Sequence, residues 1–126
     1  MRDILLVGSG GFLGSVARFL LGSAIMRVPT DGAGRSFPLG TLAVNVIGCL
    51  IIGVLAGAGS RGNAFTEDIR RFLFTGVLGG FTTFSAFGYE TFMLAREGRW
   101  SLAAANVMLQ VAAGLFAVWL GYRIAS

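Results

Sequence analysis

Four apolar stretches of similar length, separated by short polar turns, leave this chain almost no choice of architecture. They run over residues 4–26, 39–58, 72–93 and 101–124, and each is close to the roughly 20 residues an α-helix needs to cross a bilayer. Only 13% of the residues are charged and 55% are hydrophobic, whereas soluble domains carry about 25% charged residues. The 126 residues are therefore expected to form one all-α membrane domain of four transmembrane helices, residues 1–126, with nothing left over for a soluble domain. The first stretch lacks a small-residue cleavage site followed by a polar mature chain, so it reads as a retained span rather than a signal peptide. Cys49, the only cysteine, lies mid-span and can form no intrachain disulfide.

The third stretch is the anomalous one. Its centre contains Gly79 and Gly80, each costing about 1 kcal/mol relative to alanine inside a helix, followed by Phe81, Thr82, Thr83, Phe84 and Ser85. These residues predict a break near Gly79 to Thr82, and an unwound turn at membrane depth survives only when buried in protein or lining a polar cavity. The other reading is a continuous helix whose glycines admit a close neighbour. Beyond the break, Phe84 and Phe87 stand three residues apart and are expected to stack on one helix face. With Phe81 and the hydroxyls of Thr82, Thr83 and Ser85 they can line a passage, because ring edges carry the positive end of the aromatic quadrupole and face an anion without trapping it. Glu90 is the only acid at appreciable depth.

The other spans carry polar stripes. Residues 4–14, with Gly8, Gly10, Gly11 and Gly14, look like a strand entering a glycine-rich nucleotide turn, and Asp31 follows. Three further stretches of membrane length refute that context, and Gly10, Gly14, Arg18 and Gly22 at spacings of four instead form a small-residue helix stripe facing protein. Arg18 is the one arginine well inside a span; it either anchors structure, through backbone carbonyls, another subunit or Glu90, or meets an anion directly. In the second span Thr41, Asn45 and Gly48 share a face, with Gly53 and Gly57 below. Asn45 is either interhelical glue or a donor to a wet lumen. The fourth places Asn106, Gln110 and Gly114 at spacings of four.

A lumen of amides, hydroxyls and ring edges with one carboxylate favours an anion or neutral solute over a cation. With no histidine, one cysteine and no clustered carboxylates, the usual nucleophile, acid-base and metal-ligand arrangements are missing, so the chain is not expected to be an enzyme. The net charge of +4 comes from arginines scattered beside the spans, a poor footprint for nucleic acid. Alternating spans put Arg2, Arg61, Arg70, Arg71 and Arg123 on one side and Arg27, Arg35, Arg96 and Arg99 on the other. That near balance predicts insertion in both orientations. Residues 27–38, with Pro29, Asp31, Gly32, Gly34 and Pro38, and residues 59–63 read as loops, and Thr66 as a helix cap before Glu67 and Asp68.

Three motifs resemble the small fluoride channels of the CrcB or Fluc family over essentially the whole chain. They are Gly11-Phe12-Leu13-Gly14-Ser15-Val16-Ala17-Arg18, Gly40-Thr41-Leu42-Ala43-Val44-Asn45-Val46-Ile47-Gly48, and the most specific, Gly76-Val77-Leu78-Gly79-Gly80-Phe81-Thr82-Thr83-Phe84-Ser85-Ala86-Phe87. The resemblance implies a dual-topology antiparallel homodimer with two fluoride pores and a central structural sodium ion (Na+). By the same match Phe84 and Phe87 correspond to the pore phenylalanines, Asn45 to the pore asparagine, Thr41 and Glu90 to polar pore positions, and the carbonyls of Gly79 and Thr82 to the sodium ligands. Asn106 and Gln110 stand where members vary. The chain is thus expected to export fluoride passively across a bacterial inner membrane and relieve fluoride toxicity. A four-span proton-coupled multidrug exporter is the alternative, but it needs a carboxylate in the first span, where Arg18 stands. A non-transporting helical scaffold is a third.

Overall fold

A computed structural model describes residues 1–25, 37–60, 62 and 65–126. The loop residues Pro29, Asp31, Gly32 and Gly34, the arginines Arg27, Arg35 and Arg61, and Asn63 lie outside the described residues. The architecture is helical: α1 (Arg2–Ile25), α2 (Leu39–Ser60), α3 (Glu67–Arg70), a π-helical stretch (Arg71–Leu78), α4 (Gly79–Phe81), α5 (Phe84–Arg96) and α6 (Trp100–Ala125). Among the described residues four helical runs, the third comprising residues 67–96, are long and apolar enough to cross a membrane. In hydrocarbon only helices satisfy every backbone group of a single segment. Accordingly the segment 4–14 that mimics a strand and nucleotide turn is helical throughout.

Local signals set several helix ends. Thr66 caps α3 by accepting from Ile69 N–H at 3.4 Å, with Glu67 and Asp68 at the positive N-terminus. At the other end of the third span Gly98 takes a φ of 75°, and Arg99 N–H then reaches back to Leu94 O at 2.9 Å, a left-handed glycine termination. Around α3, Arg2 pairs with Asp68, and Arg71 lies 3.1 Å from Asp3. These pairs are partly exposed and contribute little beyond fixing the start of α1 beside the third span.

Two close helix contacts organise the packing. α2 runs along α6, where a Cβ on Gly53 would strike the Val118 carbonyl and lie 3.0 Å from Tyr122 N. α1 runs along the π-helical stretch and α4, where a Cβ on Gly14 would strike the Val77 carbonyl and come within 2.8 Å of Phe81 N. Backbone therefore meets backbone, the association mode available between helices already surrounded by apolar lipid. After the break the third span changes neighbour: α5 leans on α6.

The break falls at the C-terminal edge of the expected Gly79 to Thr82 stretch. Gly79 to Phe81 are helical, and the two non-helical residues are Thr82 (φ −80°, ψ 158°) and Thr83 (φ −149°, ψ 112°). Gly80 serves close approach instead, since a Cβ there would lie 2.5 Å from Gly11 O. At Gly80, packing against α1 overrides the poor helix propensity of glycine.

Candidate functional site

The site is assembled around the two extended residues. Thr83 begins α5 as its N-cap, its hydroxyl accepting from Ala86 N–H at 3.2 Å, as threonine does at that position. Its own backbone is paired by Asn45 of α2. The Asn45 Oδ1 accepts from Thr83 N–H at 2.9 Å, and Asn45 Nδ2 donates to Thr83 O at 3.1 Å. One amide thus does for this residue what a neighbouring strand would do, meeting both its N–H, which the interrupted helix releases, and its carbonyl. The second proton of Asn45 Nδ2 goes to Gln110 Oε1 on α6 at 3.1 Å. Asn45, weighed as glue or donor, is in this chain the tie joining α2, α6 and the break.

Arg18 of α1 donates from Nη1 to Thr82 O at 3.3 Å. Of the partners considered for it, a backbone carbonyl is the one it meets. The guanidinium also borders an open cleft of about 360 Å³ lined by Arg18, Gly22, Thr41, Val44, Thr83 and Ser85, among others. Gly22, expected to face protein with Gly10 and Gly14, borders this cleft with no atom within 4 Å of its Cβ position. Thr83 and Ser85 hydroxyls lie 3.3 Å apart. Thr41 donates to Glu90 Oε1 at 2.6 Å, while Glu90 Oε2 has no partner among the described residues. The cleft wall therefore offers one fixed cation and several hydroxyls, and the single deep carboxylate is engaged by Thr41.

The aromatic residues separate into two groups. Phe84 and Phe87 meet edge to face, centroids 5.5 Å apart at 63°, rather than stacking. Phe84 is 83% exposed. Phe81 is buried instead, its ring next to Gly48, so the break divides it from the pair.

The polar stripe of α6 also divides. Gln110 turns to Asn45, Gly114 faces the Cys49 sulfur, and Asn106 is fully buried, donating from Nδ2 to Thr91 Oγ1 at 2.9 Å. Asn106 therefore stands away from the open cleft. Thr91, which sequence reasoning passed over, carries no signal by itself; its spacing of four from Phe87 was the available clue. The position of the break was legible as a threonine N-cap before a helical run.

Among the described residues no group of three or more His, Cys, Asp or Glu could hold a metal, so a cation here would rely on carbonyl oxygens. Because Thr83 N–H turns to Asn45, the Gly79 carbonyl loses its ordinary donor four residues on, which suits a hard monovalent cation. The Thr82 carbonyl already accepts from Arg18. Its second lone pair remains for a cation, with the guanidinium as a neighbouring like charge.

Comparison with known proteins adds an independent finding. Residues 5–122 match the family described as CrcB-like protein, Camphor Resistance (CrcB). The chain is 48% identical over 124 residues to the fluoride-specific ion channel FluC of Methylobacillus flagellatus, covering 98% of this chain and 94% of that one. It is 44% identical over 125 residues to the protein of the same name from Geobacter sulfurreducens, covering 99% and 98%. With that of Rhodospirillum rubrum the identity is 45% over 120 residues, covering 94% and 90%.

Proposed function

The chain belongs to the CrcB family, and on that premise we propose that it is a fluoride-specific ion channel, not an enzyme, exporting fluoride passively from a bacterial cytoplasm across the inner membrane. The observation that carries the reading is the convergence of the Arg18 guanidinium and the Thr83 and Ser85 hydroxyls on one cleft; Thr41 lines it too but gives its one proton to Glu90, and Phe84 and Phe87 flank the lining residues Thr83, Ser85 and Ala86 along the chain. Donors of this kind replace part of an anion's hydration shell, and the ring edges carry it onward without a charge to hold it. Asn45 and Gln110 hold the broken turn in place, and Thr41 keeps Glu90 engaged. A proton-coupled exporter fits less well: the acid of α1 is Asp3 in its first turn, paired with Arg71.

The functional unit we propose is an antiparallel homodimer with two pores. The exposed Phe84 and the cleft open on the face of Arg18 call for a covering surface at membrane depth, and a second copy inserted the other way up supplies one. The Gly79 and Thr82 carbonyls from both copies would hold a sodium ion on the two-fold axis. When bound, the ion would supply a fixed positive charge offsetting the exposed carbonyl dipoles.

Purified protein in liposomes loaded with fluoride or chloride tests the activity. Rapid fluoride release with chloride retained is expected; retention of fluoride overturns the reading. Tags at one terminus should appear on both membrane faces in similar amounts, and a single orientation overturns the antiparallel dimer.

A further inference from the structure

We infer that Thr91, held by Asn106, is a positioning residue that fixes the Phe87 segment of the fluoride path; the inference rests on the pore reading of Phe87. The Thr91 hydroxyl donates to Phe87 O at 2.8 Å, one turn back along α5. A hydroxyl has a single proton, so with that proton given to Phe87 the oxygen can only accept from Asn106, which approaches with Nδ2 at 2.9 Å. The relay is thus directional: Asn106 to Thr91 to the Phe87 carbonyl.

Packing alone does not account for this arrangement. Asn106 is 0% exposed, and its Oδ1 has no donor among the described residues. An apolar residue of similar volume would leave no such acceptor unsatisfied. What the amide provides is the one N–H that orients Thr91. A threonine hydroxyl bonding back four residues tilts the carbonyl it meets and bends the helix locally. Here that carbonyl belongs to Phe87, in the first turn of α5 immediately after the break.

The first turn is held in front by the Thr83 cap on Ala86 and behind by this relay. The relay ties it to α6, the neighbour on which α5 mainly packs. Because Gln110 of the same helix holds Asn45, α6 places both the broken turn and the Phe87 backbone in one frame. The edge-to-face angle of Phe84 and Phe87 is set within that frame.

The test measures fluoride efflux per folded protein from proteoliposomes, over a range of fluoride concentrations, for the full chain and for Thr91→Val, Thr91→Ser, Asn106→Leu and Phe87→Ile. Thr91→Val keeps the volume and removes the hydroxyl; it should lower flux about tenfold and shift the half-saturating fluoride concentration, while Thr91→Ser restores both. Asn106→Leu should match Thr91→Val, and the two together should lose no more than either alone, as expected for members of one chain of bonds. Should Thr91→Val fail to fold, Asn106→Leu and Thr91→Ser decide. Native flux in both Thr91→Val and Asn106→Leu, with Phe87→Ile impaired, overturns the inference, as does Thr91→Ser as impaired as Thr91→Val. Native flux in Phe87→Ile overturns the pore reading beneath it.

Discussion

Replacing Asn45 by aspartate changes one atom and should damage both the fold and the path. In the native chain Asn45 Nδ2 donates to Thr83 O and Gln110 Oε1, both at 3.1 Å. In Asn45→Asp an acceptor faces two acceptors. Gln110 can relieve one contact by turning its amide over, and it sacrifices nothing, since its Nε2 has no acceptor among the described residues. The Thr83 carbonyl is backbone and cannot turn. It is left facing a carboxylate oxygen at a half-buried position, and loss of that hydrogen bond costs about 0.5–1.5 kcal/mol. For a passing anion the new charge adds about 4 kcal/mol at 4 Å and an effective dielectric of 20, near a thousandfold in rate. Equilibrium unfolding in detergent measures the first effect and fluoride efflux the second. A second substitution, Gln110→Leu, should cost more in the Asn45→Asp variant than in the native chain, because the turned amide there donates to a charge. Unchanged stability together with native flux in Asn45→Asp would refute the role assigned to this amide.

Gly14→Ala should destabilise the chain by about 1–3 kcal/mol, because the new methyl meets Phe81 N at 2.8 Å and backbone cannot yield. Gly22→Ala, with no atom within 4 Å, should gain up to about 1 kcal/mol of helix propensity; thermal unfolding showing the reverse order would discredit the α1 contact. Phe84→Ile keeps apolar bulk without the ring edge and should reduce fluoride flux by about two- to tenfold, native flux marking the ring as packing. Exchanging sodium for a large organic cation during purification should lower activity or dimer stability, whereas Thr83→Ala should leave that dependence intact, since the proposed ligands are the Gly79 and Thr82 main-chain carbonyls.

The glycine pair shows how sequence reasoning can find an anomaly without resolving which of its residues leave the helix. Gly79 and Gly80 are weak helix formers, and with the β-branched and hydroxylated residues after them they placed the break between Gly79 and Thr82, on local properties alone. Close contact with α1 is made at Gly80, and a distant residue, Asn45, pairs with the backbone where the ladder ends. The separation of Asn106 from Gln110 has the same origin. Spacing puts both on one face of α6, but the neighbours of that face differ one turn apart: α5 at Asn106 and α2 at Gln110.

By itself the sequence determined that four helices are long and apolar enough to cross a membrane, and the family, because apolar length and short motifs are properties of contiguous chain. It also determined which side chains would have to find partners, since an amide, a guanidinium and a carboxylate at depth cannot stay unpaired. Only the tertiary structure decided who those partners are. Thr83 leaves the helix because Asn45, 38 residues away, supplies a donor and an acceptor that compete with the ladder of its own helix. Arg18 meets Thr82 O across 64 residues. Such exchanges depend on which helices lie side by side, and that follows from backbone approach at glycines such as Gly14 and Gly53, where packing in three dimensions overrides local propensity.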